Sequence, residues 1–199
     1  MTAWDERVDP HAVYYAAAAE RLERRIANVK RALFADHEDR AEVYAILDAS
    51  RDPSIYYDIY REARAYDCLF AGKVDPKLAT SAPWIVQLDR DAPFTDRILS
   101  RGWGRNWGVF AVSRAPLEAM RRHLRRFLIV GTEDGPRLYF RWYDPRVLRP
   151  YLRTCTEREL DYVYGPILRW VVEGAEPEQL VDARRSPAGT LDAQPIEVG

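Results

Sequence analysis

The sequence predicts an α/β protein: a mixed, partly antiparallel sheet flanked by helices, with a long N-terminal helix and a disordered C-terminal tail. Three observations predict it. Short unbroken apolar runs alternate with amphipathic helical stretches along most of the 199 residues, the pattern of a sheet buried between helices. Two strand-like runs, 67–71 and 82–88, follow one another with no helical pattern between them, so part of the sheet is antiparallel. From Gly174 onward the chain is Pro-, Ala- and acid-rich with few apolar residues, a composition that reads as disordered. The predicted organisation is an N-terminal helical segment (1–40), an α/β core (41–173) and a tail (174–199).

The first helix is announced by Asp9 as its cap and Pro10 in its first turn. Tyr15, Ala19, Leu22, Ile26, Val29 and Leu33 recur at alternating steps of four and three, one apolar stripe over roughly six turns. Val43 to Asp48 is the first strand, buried on both faces. Asp52-Pro53 opens a helix with Ile55, Ile59 and Ala63 on one face and Tyr56 and Tyr60 beside it. Cys68 to Ala71 and Pro83 to Leu88 are the second and third strands. Pro93 starts a short helix that ends near Gly102, and Trp107 to Val112 is the fourth strand.

Pro116 leads into a helix with Leu117, Met120, Leu124 and Phe127 on one side and Arg121, Arg122, Arg125 and Arg126 on the other, where His123 reads as a surface residue. Glu133-Asp134-Gly135 is a turn signal. Leu138, Phe140 and Trp142 then alternate with Tyr139, Arg141 and Tyr143, a period-two strand. Asp144-Pro145 opens another helix. Thr156 and Glu159 have capping-box spacing for the next, which Gly165-Pro166 stops. Ile167 to Val172 is the last predicted strand.

Composition excludes several function classes. A hydrophobic content of 47% is enough for a sizeable core. Thirty basic against 31 acidic residues give a net charge of -1, so whole-surface capture of nucleic acid is not expected. The neutral total hides an uneven distribution: residues 114–153 hold ten Arg against four acids, and residues 154–199 hold four Arg against nine. No apolar run approaches the roughly 20 residues of a membrane helix. The N-terminus has no basic-then-apolar leader pattern. Cys68 and Cys155 form no CxxC pair, which points to a reducing cytoplasm. Three scattered His make no zinc spacing.

No catalytic motif stands out. Gly-rich phosphate loops and the GxSxG elbow are absent, and no cofactor or metal is expected. The best enzyme reading is metal-dependent phosphoryl transfer by the strand-end carboxylates Asp48 and Asp144. Asp52 and Asp144 each precede a proline, however, and have a helix-capping role, and Asp48 has a similar strand-end role. A third reading, nucleic-acid binding through Arg121, Arg122, Arg125 and Arg126, is opposed by the net charge and the acidic end.

An ordered set of segments carries a resemblance. Tyr44-Ala45-Ile46-Leu47-Asp48-Ala49 is followed by Leu69-Phe70-Ala71-Gly72, Ala82-Pro83-Trp84-Ile85-Val86-Gln87-Leu88 and Gly102-Trp103-Gly104-Arg105-Asn106-Trp107-Gly108-Val109-Phe110. Then come His123 to Leu128 and Leu138-Tyr139-Phe140-Arg141-Trp142-Tyr143-Asp144-Pro145-Arg146-Val147-Leu148, with Cys155-Thr156 and Tyr164-Gly165-Pro166 after them. In this order, over about residues 43–172, the sequence resembles the bacterial type VI secretion effector adaptors, also called effector chaperones.

The resemblance implies a non-enzymatic cytoplasmic protein that binds a toxic effector and loads it onto the VgrG spike. Its implied partners are those two proteins, with no nucleic acid and no membrane; self-association is left open. Candidate partner contacts are Arg141, Tyr143, Arg146, Trp103, Arg122 and Arg126. Arg141 or Arg146 is expected to pair with a carboxylate, Asp48 being one candidate. Family members often carry a variable helical lobe after the core. Here a polar tail stands in that place, so the N-terminal helix is expected to share in recognition, with effector or with a second copy.

Overall fold

A computed structural model of the chain describes residues 10–35, 40–72, 74–131, 135 and 137–199. The order is α1 (Pro10–Leu33), β1 (Glu42–Asp48), α2 (Pro53–Glu62), β2 (Tyr66–Cys68), α3 (Pro76–Ala79), β3 (Pro83–Leu88), α4 (Pro93–Gly102), β4 (Gly108–Ser113) and α5 (Leu117–Leu124). After a 3₁₀ turn at Arg125–Phe127 come β5 (Ile129–Val130), β6 (Leu138–Tyr139), α6 (Pro145–Thr154), α7 (Glu157–Tyr164), β7 (Ile167–Glu173), β8 (Gln179–Arg185) and β9 (Leu191–Glu197). The expected cap at Asp9 and the turn residues Glu133 and Asp134 lie outside the described residues.

Seven strands form one sheet in the order β2-β3-β1-β4-β7-β8-β9. Each pairing in it is antiparallel, a more uniform sheet than the mixed one expected. β1 is central: Ala45 stands between Val86 and Phe110. Because side chains alternate across a strand, Val43, Ala45 and Leu47 face a layer made by α1, α2 and α4, through Val29, Leu33, Ile55, Ile59, Phe94 and Ile98. Tyr44 and Ile46 face the opposite layer of α5, α6 and α7, through Met120, Leu124, Leu148, Leu152, Leu160 and Val163. Both faces are covered, which is why the strands read as unbroken apolar runs.

Glycine is required where β4 enters. A Cβ on Gly108 would run into the Ile46 carbonyl oxygen, so only glycine lets β4 approach β1 there.

Four expectations change. The tail is not disordered: β8 and β9 extend the sheet, with Leu180 in one core layer and Val181 and Ala183 in the other. A turn closes the hairpin, with Gly189 at φ 86° and the Ser186 amide donating to the Thr190 carbonyl at 2.8 Å. The edge position of β9 explains its polar sequence, since edge strands are kept polar and proline-bearing. Between β2 and β3 there is a short helix, α3, capped by Asp75. The period-two strand at 138–143 shrinks to β6, paired only with β5. Its apolar side does not face inward as a set: Leu138 is 60% exposed while Trp142 and its neighbour Tyr143 are both buried, because the chain turns at 142–143 towards the cap of α6. Finally, His123 is buried, with Nε2 2.9 Å from the Val163 carbonyl, and α5 turns it inward with Leu124. Burial holds its imidazole below the usual range.

Candidate functional site

The end of β1 and the segment that leads into α6 meet in a chain of charges. Asp48 closes β1 and is fully buried. Its Oδ1 accepts from the Ser50 amide at 3.0 Å and the Ser50 hydroxyl at 2.6 Å. Its Oδ2 accepts from Arg141 Nη2, which also donates to Ser50 Oγ at 2.8 Å. Arg51 Nε lies 3.7 Å from Asp48 Oδ2, and Arg51 Nη2 donates to Asp144 Oδ2. Asp144 caps α6, accepting from the Arg146 amide at 3.0 Å. The Arg146 side chain folds back on the same carboxylate, Nε at 3.0 Å and Nη2 at 2.7 Å. Two carboxylates and three guanidiniums thus tie β1, the turn after it, the segment before α6 and α6 itself.

The electrostatics follow from this pairing. Burial works to raise the Asp144 carboxyl, but the hydrogen bonds from Arg146 and the charge of Arg51 outweigh it and hold the group below the usual carboxylate range. The hydrogen bond to Asp48 raises Arg141 further above its ordinary value. Tyr143, buried beneath this network with the Arg141 guanidinium 6.0 Å from its ring centre, is pushed up to about 12, chiefly by burial. Its hydroxyl stays protonated. With both carboxylates committed to guanidiniums, a divalent cation would have to displace Arg51, Arg141 or Arg146 to bind between them. Among the described residues no group of three or more His, Cys, Asp or Glu converges as metal ligands.

The other expected site residues are dispersed. Asp52 caps α2, accepting from the Ser54 amide at 2.9 Å and hydroxyl at 2.6 Å. Trp103 is not a surface contact but a core residue: it is buried, stacks 6.2 Å from Phe110, and donates Nε1 to the Pro177 carbonyl at 3.1 Å. Tyr143 is likewise buried rather than presented to a partner. Arg122 is exposed on α5 beside Glu118, 3.1 Å away. Arg126 lies 4.7 Å over the Tyr162 ring. Arg141 and Arg146 keep about half of their side chains in solvent, 49% and 54%.

Several features carry no contact role in the sequence reading. Arg51 bridges the two carboxylates; its position three residues after Asp48 was the available signal. Tyr56, Tyr60 and Tyr66 surround Trp84 at 5.7–5.9 Å, with Tyr57 and Tyr60 more than half exposed. The β5–β6 ribbon exposes Ile129, Val130, Leu138 and Tyr139. Both patches have the aromatic and aliphatic character of protein contact surfaces.

No helix among the described residues is long and apolar enough to cross a membrane. Among curated proteins and among solved structures nothing matches the chain. A family model does, over residues 43–162, the stretch from β1 to α7 that holds the whole charge network. The chain belongs to that family, described as Domain of unknown function (DUF4123), which is associated with type VI secretion effector adaptors.

Proposed function

We propose that the chain is a cytoplasmic adaptor that binds a toxic effector protein and delivers it to the VgrG spike, with no catalysis of its own. Family membership carries this reading. The site chemistry supports it: the two carboxylates that a phosphoryl-transfer enzyme would use, Asp48 and Asp144, are neutralised by three arginines, while Arg141, Arg146 and the exposed tyrosines offer contact surface rather than reacting groups. Arginine and tyrosine are enriched at the energetic centres of protein interfaces.

The test is co-expression with a VgrG protein and a candidate effector from the same genome, followed by purification through a tag on the chain. Both proteins are expected to co-purify. Arg141→Ala with Arg146→Ala is expected to lower effector recovery while circular dichroism still reports a folded chain. Loss of folding in that double variant would make the network structural alone. Full recovery from a stable double variant would remove it from recognition. Turnover of a phosphoester by the pure chain, abolished by Asp48→Asn, would overturn the adaptor reading itself.

A further inference from the structure

Arg146, Arg149 and Arg153 stand at i, i+3 and i+7 along α6, a spacing that places all three on one side of the helix. That side walls a groove of about 330 Å³, with Pro150 beside the arginines and Val181 of β8 and Pro195 of β9 opposite. Among the described residues no carboxylate lines it. In a chain with more acidic than basic residues, this is a concentration of one sign.

The three guanidiniums are differently engaged. Arg146 spends donors on Asp144. Arg149 donates through Nη1 to the carbonyls of Glu173 and Gly174, which fixes α6 over the end of β7. Arg153 is exposed, and no hydrogen bond or ion pair engages it among the described residues. A guanidinium carries five donors, so even the engaged pair keeps hydrogen-bonding capacity towards the groove.

Seven residues of helix separate Arg146 from Arg153, a span of roughly 10 Å. That is about three residues of extended chain and too long for one carboxylate or phosphate. No aromatic ring lines the groove, so a base has nothing to stack on there. The rest of the lining is Ala175, Val181 and Pro195 with one polar side chain, Gln179, whose amide is spent on Glu197 at 2.7 Å. β9 beside it is an edge strand with β8 as its one neighbour in the sheet, which leaves a row of backbone groups facing outward.

We propose that this groove binds an extended acidic segment of a partner protein, its carboxylates on Arg146, Arg149 and Arg153 and its apolar side chains on Val181 and Pro195. The proposal rests on the adaptor reading for the partner being a protein, and it names the chemistry of the segment that is held.

The test uses the full chain and a fluorescein-labelled octapeptide of alternating aspartate and leucine, with an asparagine–leucine peptide as control, read by fluorescence anisotropy. The aspartate peptide is expected to bind saturably, the asparagine peptide roughly tenfold or more weakly, and binding is expected to fall as salt rises. Arg153→Glu reverses one wall charge at an exposed position, and Pro195→Glu adds a carboxylate opposite. Each is expected to weaken the aspartate peptide roughly tenfold or more while melting like the parent. Absence of saturable binding, or binding that both substitutions leave unchanged, would overturn the proposal. So would an octanucleotide that binds in an Arg153-dependent way where the peptide does not. The two readings fail separately. An effector that co-purifies with a chain unable to bind the peptide leaves the adaptor and removes the groove. A peptide that binds while the effector does not co-purify leaves the groove and removes the adaptor.

Discussion

Glu173 ends β7 almost out of solvent, 6% exposed, with its Oε2 accepting the Asn106 amide at 3.2 Å. Burial pushes its carboxyl up to about 7, against the hydrogen bonds of the Asn106 and Gly104 amides and the charge of Arg149. The native state therefore holds this proton at pH values where the unfolded chain, near 4.5, has released it. Stability from this group is full below about pH 4.5 and is lost as pH rises through about 7, a swing on the order of 3 kcal/mol. Buried His123 works the other way, since its depressed imidazole favours the fold as pH rises. Glu173→Gln should flatten the decline in melting temperature between pH 5 and 8 and raise it at pH 8. An unchanged pH profile would show that the carboxylate is ionised in the fold. Single residues were unevenly legible in the sequence. The pairing of Arg141 with Asp48 was foreseeable, because a carboxylate at the end of a buried strand needs a cationic partner. The burial of Trp103, Tyr143 and His123 was not, since each depends on a neighbour distant in sequence: Pro177, the charge network, and Val163.

Elements whose burial pattern is local were legible; those defined by long-range pairing were not. β1, β3 and β4 are buried on both faces, and α2 and α6 each open at a proline after an aspartate, as the sequence predicts; α3 opens the same way but is too short to show a helical period. The stripe of α1 was read correctly as a pattern, but its use is divided. Val29 and Leu33 are buried, with Arg169 Nη2 donating to the Ala32 and Leu33 carbonyls at 2.8 Å, whereas Tyr14, Tyr15 and Leu22 are exposed. The β8–β9 hairpin was misread because its outer strand is polar. Its removal makes a sharp test. Asp182 of β8 is the 2.9 Å partner of Arg169, whose side chain is 3% exposed. Truncation after Glu173 would remove the carboxylate partner of that cation. It would also strip Leu180, Val181 and Ala183 from the core and open β7 as an edge. The truncated chain should be insoluble or unfolded. A soluble truncation with native circular dichroism would mean that residues 174–199 are dispensable to the fold.

On the scale of the molecule, one sheet serves two cores. The layer of α1, α2 and α4 and the layer of α5, α6 and α7 share no helix, but alternate residues of the same strands supply both: Ala45 one, Ile46 the other; Val171 one, Trp170 the other. A strand cannot keep one face ordered while losing the other, because the backbone that positions both is the same. Sequence periodicity shows that both faces are apolar but not the strand order, since β1 meets β3 and β4, and β4 meets β7, across intervening helices. The consequence is mechanical coupling between the charge network under α6 and the opposite layer carrying α1. Ile55→Ala and Leu152→Ala each remove a buried side chain, one from either core, and each should cost about 2–5 kcal/mol. If the layers unfold as one, calorimetry will show a single transition whose midpoint falls in both variants, with the double variant close to additive. Two resolved transitions, each sensitive to only one of the substitutions, would show that the helical layers melt independently and that the sheet does not couple them.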